Sequence, residues 1–196
     1  EKELEEMDVM FLMDRFGYAK TVDIPTYERN KEAADSENKY VFKCKNTGKI
    51  CLFTDAGQLH MIKVLDLPFG KFRDKGIPID NVSNFSSEKE NMVFITNQTQ
   101  LNLCRVIFVT KNAMMKVVDG GEFDVSKRTV AATKLMDDDR VLSIVCIQDQ
   151  KNVVLQSKDG YFLRFPIDEI PEKKKAAIGV RGMKLGEKDE LEAVYY

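Results

Sequence analysis

Apolar residues occur along the chain in short runs of four to seven, which are rich in valine, isoleucine and phenylalanine. Runs such as residues 92–95, 106–109 and 144–147 are too short for core helices, and their β-branched residues favour strands. Because the runs are continuous rather than alternating, we predict strands that neighbouring sheets bury on both faces. Residues 27–38 are the only helix candidate, and since they lack an apolar stripe, a solvated loop is an equal alternative.

A strand–turn–strand unit recurs four times, and each copy follows an apolar run and pivots on a small residue. The four pivots are Gly17, Gly57, Ala113 and Gly160, which lie 40, 56 and 47 residues apart. Glycine adopts the positive φ that a tight reversal needs. Alanine does so only at a cost, so we expect the third turn to be looser or of another type. A second phrase supports the repeat, because residues 134–144 match residues 184–194.

Repeats of about fifty residues built from short strands are typical of radial or solenoidal arrays of small sheets. We therefore predict one all-β domain, a propeller-like repeat array of about four blades. Their rough bounds are residues 1–45, 46–100, 101–147 and 148–196. Since such blades bury their cores only against one another, a single blade should not be stable.

Composition fits a soluble globular chain with a sizeable core, with 196 residues, 43% of them hydrophobic and 32% charged. No apolar stretch reaches the ~18 residues that a transmembrane helix needs. The acidic start lacks the basic residues of a signal peptide, as we expect of a cytoplasmic segment cut from a longer polypeptide. The cysteines form no C-x-x-C pair, which predicts buried free thiols in a reducing cytosol. They are Cys44, Cys51, Cys104 and Cys146.

A search for catalytic or metal-ligating groups finds no convincing constellation. His60, the single histidine, occupies the position that Lys20 and Lys116 occupy in their repeats, which predicts an exposed strand residue. The aspartates at 137–139 have an acidic counterpart at 187–190, and we interpret both as solvated hairpin tips. The chain has neither a P-loop nor a G-x-G-x-x-G motif. We predict that this segment is not an enzyme and contains no catalytic residue, metal site or cofactor.

Two kinds of connection differ in charge. The connection before each blade's first strand is acidic, at residues 88–90, 137–139 and 187–190, and the one after each hairpin is basic. If the blades present the basic connections on one rim, that rim would attract a phosphate backbone without reading bases, despite the net charge of −2. The alternative is a chance clustering of charges. The candidate phosphate contacts are Lys71, Arg73, Lys75, Lys127, Arg128, Lys173, Lys174, Lys175 and Arg181.

Two further groups of residues accompany these candidates. We expect three glycines to set the geometry of the basic loops, and they are Gly76, Gly179 and Gly182. Three other cations could face the rim or pair with acidic neighbours, and they are Lys20, Lys116 and Arg164. The first repeat departs from the rule, because its loop at residues 28–35 mixes both signs of charge.

Essentially the whole chain resembles the C-terminal domain of the A subunit of bacterial type IIA topoisomerases, which are DNA gyrase and topoisomerase IV. The family's apolar strand and Thr-x-x-Gly turn appear at residues 53–57. Its blade-closing phrase R-G-x-P-I-x-N is matched at residues 74–81. The phrases G-x-x-x-R-F and A-x-G-V-R-G-x-x-L, at residues 160–165 and 177–185, are the most specific part of the match.

The resemblance implies a β-pinwheel, which is a propeller-like disc whose blades exchange strands and whose basic outer rim binds and bends double-stranded DNA. It implies as partners the rest of the topoisomerase A subunit together with the ATPase B subunit, in the cytoplasm with the nucleoid. The catalytic tyrosine, ATP and magnesium would belong to other domains of the parent enzyme.

One departure separates the chain from gyrase. Gyrase carries a Q-R-R-G-G-K-G box after the first blade's tyrosine, where this chain has Tyr-Glu-Arg-Asn-Lys-Glu at residues 27–32. Gyrase needs the box to wrap DNA chirally, so the chain is more similar to the topoisomerase IV type, which decatenates or relaxes DNA. The alternatives are a gyrase domain with a degenerate box and a protein-interaction scaffold that does not bind DNA. Such a scaffold would expose aromatic residues, and the candidates are Phe69, Phe72 and Phe123.

Overall fold

The structure is a computed structural model that describes residues 4–196, so residues 1–3 of the acidic start lie outside it. Strands dominate the described residues, which confirms the predicted all-β class. In chain order the strands are β1 (Asp8–Met13), β2 (Tyr18–Asp23), β3 (Tyr40–Lys45), β4 (Lys49–Thr54), β5 (Gln58–Lys63), β6 (Ile77–Pro78), β7 (Met92–Asn97), β8 (Arg105–Thr110), β9 (Met114–Asp119), β10 (Thr129–Ala131), β11 (Val141–Cys146), β12 (Asn152–Ser157), β13 (Phe162–Pro166), β14 (Val180–Arg181) and β15 (Leu191–Tyr195).

Helices are short and lie between the strands. The α-helices are α1 (Ile24–Arg29), α2 (Lys31–Glu37) and α3 (Gln98–Asn102). The 3-10 helices are Val64–Asp66, Ile79–Val82, Gly120–Phe123 and Ile167–Glu169. In the part of the chain that the structure describes, no helix is long and apolar enough to cross a membrane.

The strands form four antiparallel sheets, in which hairpins exchange strands between repeats. The strand orders are β3-β1-β2-β6 in sheet 1, β10-β5-β4-β7 in sheet 2, β11-β8-β9-β14 in sheet 3 and β13-β12-β15 in sheet 4. Sheets 1, 2 and 3 each receive their fourth strand from the repeat that follows. This exchange is the arrangement of a β-pinwheel, as the resemblance implies.

The exchanged strands pair at equivalent positions of the three sheets. Ile77 pairs with Ala19, Val130 with Leu59, and Val180 with Met115. The hairpin residue in each pair lies two positions after its turn pivot, at residues 17, 57 and 113. The repeat found in the sequence therefore also fixes where the next repeat attaches.

The core lies between the sheets, and the middle strands contribute to two core clusters at once. In β4, Ile50 and Leu52 pack in the cluster that joins sheets 1 and 2, whereas Cys51 and Phe53 pack in the cluster that joins sheets 2 and 3. A third cluster joins sheets 3 and 4. Burial on alternating sides explains why these strands are apolar at every position, and it confirms the predicted two-sided burial.

The two ends of this row of sheets differ. Helices α1 and α2 cover the free face of sheet 1, where Tyr27 and Ala34 are buried with Met10, Leu12 and Val22. Residues 27–38 are thus mainly helical, and packing against the sheet replaces the apolar stripe that the segment lacks. Among the described residues, no buried cluster joins sheet 4 to sheet 1. The three clusters therefore link sheets 1 to 4 in chain order.

The expectation of a different third turn is wrong. Ala113 has φ +65° and its N–H donates to the Thr110 carbonyl at 3.0 Å. Gly57 has φ +76° and bonds in the same way to Thr54 at 3.1 Å. Ala113 is fully buried in the cluster between sheets 3 and 4, and this packing offsets the strain that an alanine has at positive φ.

The prediction of four free thiols is half wrong. Cys44 and Cys51 are buried free thiols, and burial raises the pKa of each to about 12. Cys104 and Cys146 instead form a disulfide with Cα atoms 5.8 Å apart. Cys104 immediately precedes β8 and Cys146 ends β11, and these two strands are antiparallel neighbours. Strand pairing brings together two cysteines that are 42 residues apart in sequence.

Candidate nucleic-acid interface

The basic connections lie along equivalent strands of three successive sheets. We call residues 69–76, 126–128 and 172–181 the basic segments. In the first segment, Phe69 forms a parallel bridge to Thr21 in β2. In the last segment, Glu172 forms a parallel bridge to Val117 in β9. The second accepts a hydrogen bond at 2.7 Å from Met61 in β5. Residues 21, 61 and 117 each lie four positions after a turn pivot, so the three segments occupy the same edge of their sheets.

Most of the candidate phosphate contacts are exposed. The exposed residues are Lys71, Arg73, Lys75, Lys127, Arg128, Lys173, Lys174 and Arg181. Lys175 is half-buried and differs in its contacts, because its Nζ donates to the Glu122 carbonyl at 3.1 Å. Lys75 also lies over the Tyr18 ring at 4.5 Å, and Arg128 donates to the Val82 carbonyl at 3.3 Å.

Lys116 lies beneath the last basic segment and is not a surface charge. Its side chain is almost fully buried, and Nζ donates to the carbonyls of Lys174, Lys175 and Ala177 at 3.1, 3.0 and 2.6 Å. Burial lowers the pKa of Lys116 to about 8, because desolvation disfavours the charged form. We call this ammonium with its three acceptors the carbonyl cage. It is a contact that we did not foresee from the sequence.

Lys20 repeats the arrangement beneath the first basic segment. Its Nζ donates to the carbonyls of Phe72 and Asp74 at 2.5 and 2.6 Å and lies 5.0 Å from the centre of the Phe72 ring. Burial lowers the pKa of Lys20 as well. The expectation that these two lysines face the rim or pair with acidic neighbours is therefore wrong. Both ammonium groups bind backbone carbonyls instead. Arg164, the last of the three cations that could face the rim, is exposed on β13.

His60 takes the equivalent place in sheet 2, and the prediction that it is exposed is wrong. Its side chain is buried, with Nδ1 2.8 Å from Thr129 Oγ1 and Nε2 2.9 Å from Glu90 Oε2. Thr129 stands in β10 directly after the second basic segment. The three equivalent residues thus all bind the chain that crosses from the next repeat. The shared position three residues after a pivot was the sequence signal for this role.

Glycines set the path of the basic segments, as predicted. Gly76 and Gly179 have φ of +83° and +102°. A Cβ atom on either would lie 2.5 Å from a backbone carbonyl, of Ala19 and Met115 respectively. A Cβ on Gly182 would lie 2.1 Å from the Met115 sulfur. At Gly76 and Gly179, only glycine lets the segment approach the sheet so closely, because the atoms in the way belong to the backbone.

The acidic connections are placed differently from our expectation. They precede β7, β11 and β15, which pair with the first strand of a completed hairpin and do not begin a new one. Asp137 and Asp138 are solvated as predicted, but Asp139 is buried and its Oδ1 accepts the Asn112 N–H at 3.1 Å. Asp189 accepts the Asp159 N–H in the same way. These two carboxylates fasten hairpin turns.

The aromatic candidates for a protein-docking surface separate in the structure. Phe69 is 57% exposed, Phe72 is half-buried with its ring against the Lys20 ammonium, and Phe123 is fully buried in the core between sheets 2 and 3. The residues at the place of the gyrase box fall in α1 and α2, where the Tyr27 hydroxyl donates to Asp35 at 2.7 Å. This site is therefore part of a helical cover over sheet 1.

Comparison with known protein families shows which family the repeats are similar to. A family model described as DNA gyrase C-terminal domain, beta-propeller, matches residues 105–148 and again residues 151–195. These matches cover two consecutive repeats, in the half of the chain that carries the most specific phrase. Residues 105–148 and 151–195 are therefore each similar to the DNA gyrase C-terminal domain. The resemblance of the chain to type IIA topoisomerase C-terminal domains is thereby confirmed.

Relatives extend the similarity to the first two repeats. The DNA gyrase A subunit of Lawsonia intracellularis is 25% identical over 197 residues, which cover 95% of this chain and 24% of that protein. The DNA gyrase A subunit of Helicobacter pylori is 28% identical over 185 residues, 88% of this chain and 22% of that protein. The chain thus spans less than a quarter of the length of these gyrase A subunits.

Solved structures show the same fold. The C-terminal domain of DNA topoisomerase IV superimposes with a TM-score of 0.85 at 22% identity, over 98% of this chain and 62% of that one. The C-terminal domain of E. coli ParC superimposes with a TM-score of 0.75 at 17% identity, over 96% of this chain and 78% of that one. The DNA gyrase A C-terminal domain superimposes with a TM-score of 0.58 at 18% identity, over 96% of this chain and 64% of that one. The chain therefore shares its fold with the C-terminal domains of both enzymes.

Proposed function

We propose that this domain binds and bends duplex DNA through the phosphates, using the exposed lysines and arginines of the three basic segments. The observation that carries the proposal is their placement at one edge of three successive sheets. None of the nine candidates forms an ion pair with another residue of the described range 4–196. The charges of the eight exposed candidates are therefore available to an external anion.

Such a surface would bind DNA without reading its sequence. Each phosphate that a cation neutralises releases a condensed counterion, so affinity would fall steeply with salt. Bending a 20–30 base-pair segment costs on the order of 1–6 kcal/mol, which several phosphate contacts together would offset. The acidic connections at 88–90, 137–139 and 187–190 would repel DNA elsewhere on the domain and so orient it.

The parent protein would be a type IIA topoisomerase A subunit that works with its ATPase B subunit on chromosomal DNA in the cytoplasm. ATP and magnesium would act in its other domains. We assign the topoisomerase IV type, with decatenation or relaxation as the outcome, because Glu28 and Glu32 stand where gyrase has its basic, glycine-rich box. A gyrase with a degenerate box is the alternative, and supercoiling assays of the complete enzyme separate the two.

The binding test is a gel shift of this 196-residue chain on a duplex of ~150 base pairs, about one persistence length, at several salt concentrations. The test variant is Lys173→Glu with Lys174→Glu. Lys175 is left unchanged because it contacts Glu122. The matched control is Lys134→Glu with Lys188→Glu, which changes the same charge at exposed lysines beside the acidic connections.

A salt-dependent shift that the test variant weakens and the control retains would support the proposal. Equal weakening by both variants would mean that only the overall charge matters and would contradict a defined basic edge. No shift even at low salt would favour the scaffold alternative, for which Phe69 is the remaining exposed aromatic of the three candidates. An apolar contact of that kind would change little with salt.

A further inference from the structure

The backbone hydrogen bonds within the last basic segment are too few to determine its conformation. Between Glu172 and β14 it contains no strand or helix. At its start, Lys173 N–H donates to the Val117 carbonyl at 2.9 Å, and inside it Ala177 N–H donates to the Lys174 carbonyl at 3.0 Å. From outside the segment, Glu122 Oε1 accepts the Lys175 N–H at 3.2 Å and Thr133 Oγ1 donates to the Ala177 carbonyl at 3.3 Å. The remaining order has to come from the sheet beneath the segment.

The carbonyl cage supplies this order. An ammonium group has three donors, and Lys116 uses them on three carbonyls within four residues of the segment, 174, 175 and 177. Because these carbonyls point toward the sheet, the chain between them curves over Nζ. The side chains of Lys173 and Lys174 remain exposed on the outside of that curve. A buried cation therefore shapes the loop that presents the surface cations.

The repeats show that the buried lysine accompanies a long basic segment. Sheets 1 and 3 carry the longer segments, each with a positive-φ glycine directly before the exchanged strand, and there the position holds Lys20 or Lys116. Sheet 2 carries the shorter segment 126–128, and there the position holds His60, which binds a threonine hydroxyl. Within residues 4–196, sheet 4 has no exchanged strand, and there the position holds Leu163. The residue type follows the segment above it.

We propose that Lys116 and Lys20 are positioning residues, which hold the last and the first basic segment in the shape that binds phosphates without touching DNA themselves. The part that concerns DNA rests on the proposed function. The part that concerns the segment does not, because it depends only on the cage. An ordered segment loses less conformational freedom when it binds, which would increase the affinity that its exposed lysines supply.

The experiment compares Lys116→Met, Lys20→Met and the control Lys188→Met, an exposed lysine with no cage. Amide hydrogen exchange of the whole 196-residue chain is measured first. We expect Lys116→Met to speed exchange within residues 172–179 by about tenfold or more and to leave residues 69–76 unchanged. Lys20→Met should do the reverse, and Lys188→Met should change neither segment.

DNA affinity as a function of salt is measured on the same variants. Each lost phosphate contact lowers the slope of log K against log salt by roughly 0.9, so Lys116→Met should lower it by about 1–2. The Lys173→Glu, Lys174→Glu double variant gives the reference for losing those contacts. A loop that is merely stabilised, with no role in binding, would leave this slope unchanged.

The outcomes separate the two proposals. Faster amide exchange confined to residues 172–179 in Lys116→Met, together with a reduced salt slope of DNA binding, supports the positioning role. The same faster exchange with an unchanged salt slope overturns that role, provided that the Lys173→Glu, Lys174→Glu double variant does reduce the slope. The proposed function would then remain intact. Exchange that does not change locally overturns the cage itself. If the wild-type chain does not bind DNA, the proposed function fails, and exchange alone tests the cage. Should Lys116→Met not fold, Lys20→Met, at a half-buried position, gives the same test on residues 69–76.

Discussion

Asp139 ties the end of one connection to a turn 27 residues earlier, because its Oδ1 accepts the backbone N–H of Asn112 at 3.1 Å. The same oxygen accepts the N–H of the following residue, and the side chain is buried. In sheet 4, Asp189 forms the same link to Asp159 at 3.1 Å. The repeated phrase of the sequence therefore includes an aspartate that fastens the neighbouring hairpin turn.

We predict that Asp139→Ala lowers the free energy of unfolding by about 1–3 kcal/mol, because it leaves the partly buried N–H groups of Asn112 and Arg140 without this acceptor. Urea unfolding followed by circular dichroism measures the change. Asp137→Ala is the matched control, since Asp137 is exposed in the same connection and should change stability by less than about 0.5 kcal/mol. Equal effects of the two substitutions would show that the link to Asn112 contributes nothing.

Local pattern made the strands and turns predictable from the sequence. A run such as residues 50–53 is apolar throughout because it packs in two cores, and this composition excludes an exposed strand. Gly17, Gly57 and Gly160 mark reversals because glycine tolerates positive φ. Ala113 shows the limit of that reasoning, since tertiary packing overrides the local cost.

Contacts between repeats were not predictable, because they depend on register and not on local pattern. The pairing of Val180 with Met115 joins residues 65 positions apart, and nothing local to either residue indicates it. The disulfide between Cys104 and Cys146 follows from the pairing of β8 with β11. Likewise, the sequence does not distinguish a strand lysine that faces solvent from one that lies beneath an exchanged segment. For this reason the burial of Lys116 could not be predicted.

Two glycines with positive φ should differ in how much they resist substitution. Gly160 has open space around its missing Cβ, whereas a Cβ on Gly179 would lie 2.5 Å from the Met115 carbonyl oxygen. We predict that Gly160→Ala costs about 1–2 kcal/mol, the strain of a left-handed alanine. Gly179→Ala should cost more and should also speed amide exchange in residues 172–179, because the segment must move away from β9.

Urea unfolding of both glycine variants, with exchange measured on the folded proteins, makes the comparison. Gly160→Ala is the control for backbone strain alone, since both positions have φ near +90° to +100°. If Gly160→Ala proves as costly as Gly179→Ala, close approach to the sheet is not what selects glycine at residue 179.

Thiol counting tests the cysteine assignment. Cys44 and Cys51 are buried with pKa values raised to about 12, so the folded protein at pH 8 should react only very slowly with a thiol reagent. In urea without reductant we expect two reactive thiols, because Cys104 and Cys146 are paired. After reduction in urea the count should rise to four. Four thiols before reduction would contradict the disulfide.

Stability should rise with pH just above pH 8 because of Lys116. Burial lowers its pKa from 10.5 to about 8, so between these values the unfolded chain holds a proton that the folded chain has lost. The free energy of unfolding then increases with pH, by at most about 1.4 kcal/mol per pH unit for one proton. The lowered pKa of Lys20 acts in the same direction.

Above pH 9 the buried thiols reverse this trend. Cys44 and Cys51 keep their protons in the folded state up to about pH 12 and lose them near pH 9 when unfolded, so both lower stability as pH rises. These two protons oppose the contributions of Lys116 and Lys20, so the rise should end and stability should pass through a maximum. Urea unfolding from pH 7 to 10 without reductant measures the profile. Lys116→Met should diminish the rise from pH 8 to 9 and keep the fall above it, whereas an unchanged rise in that variant would exclude Lys116 as its source.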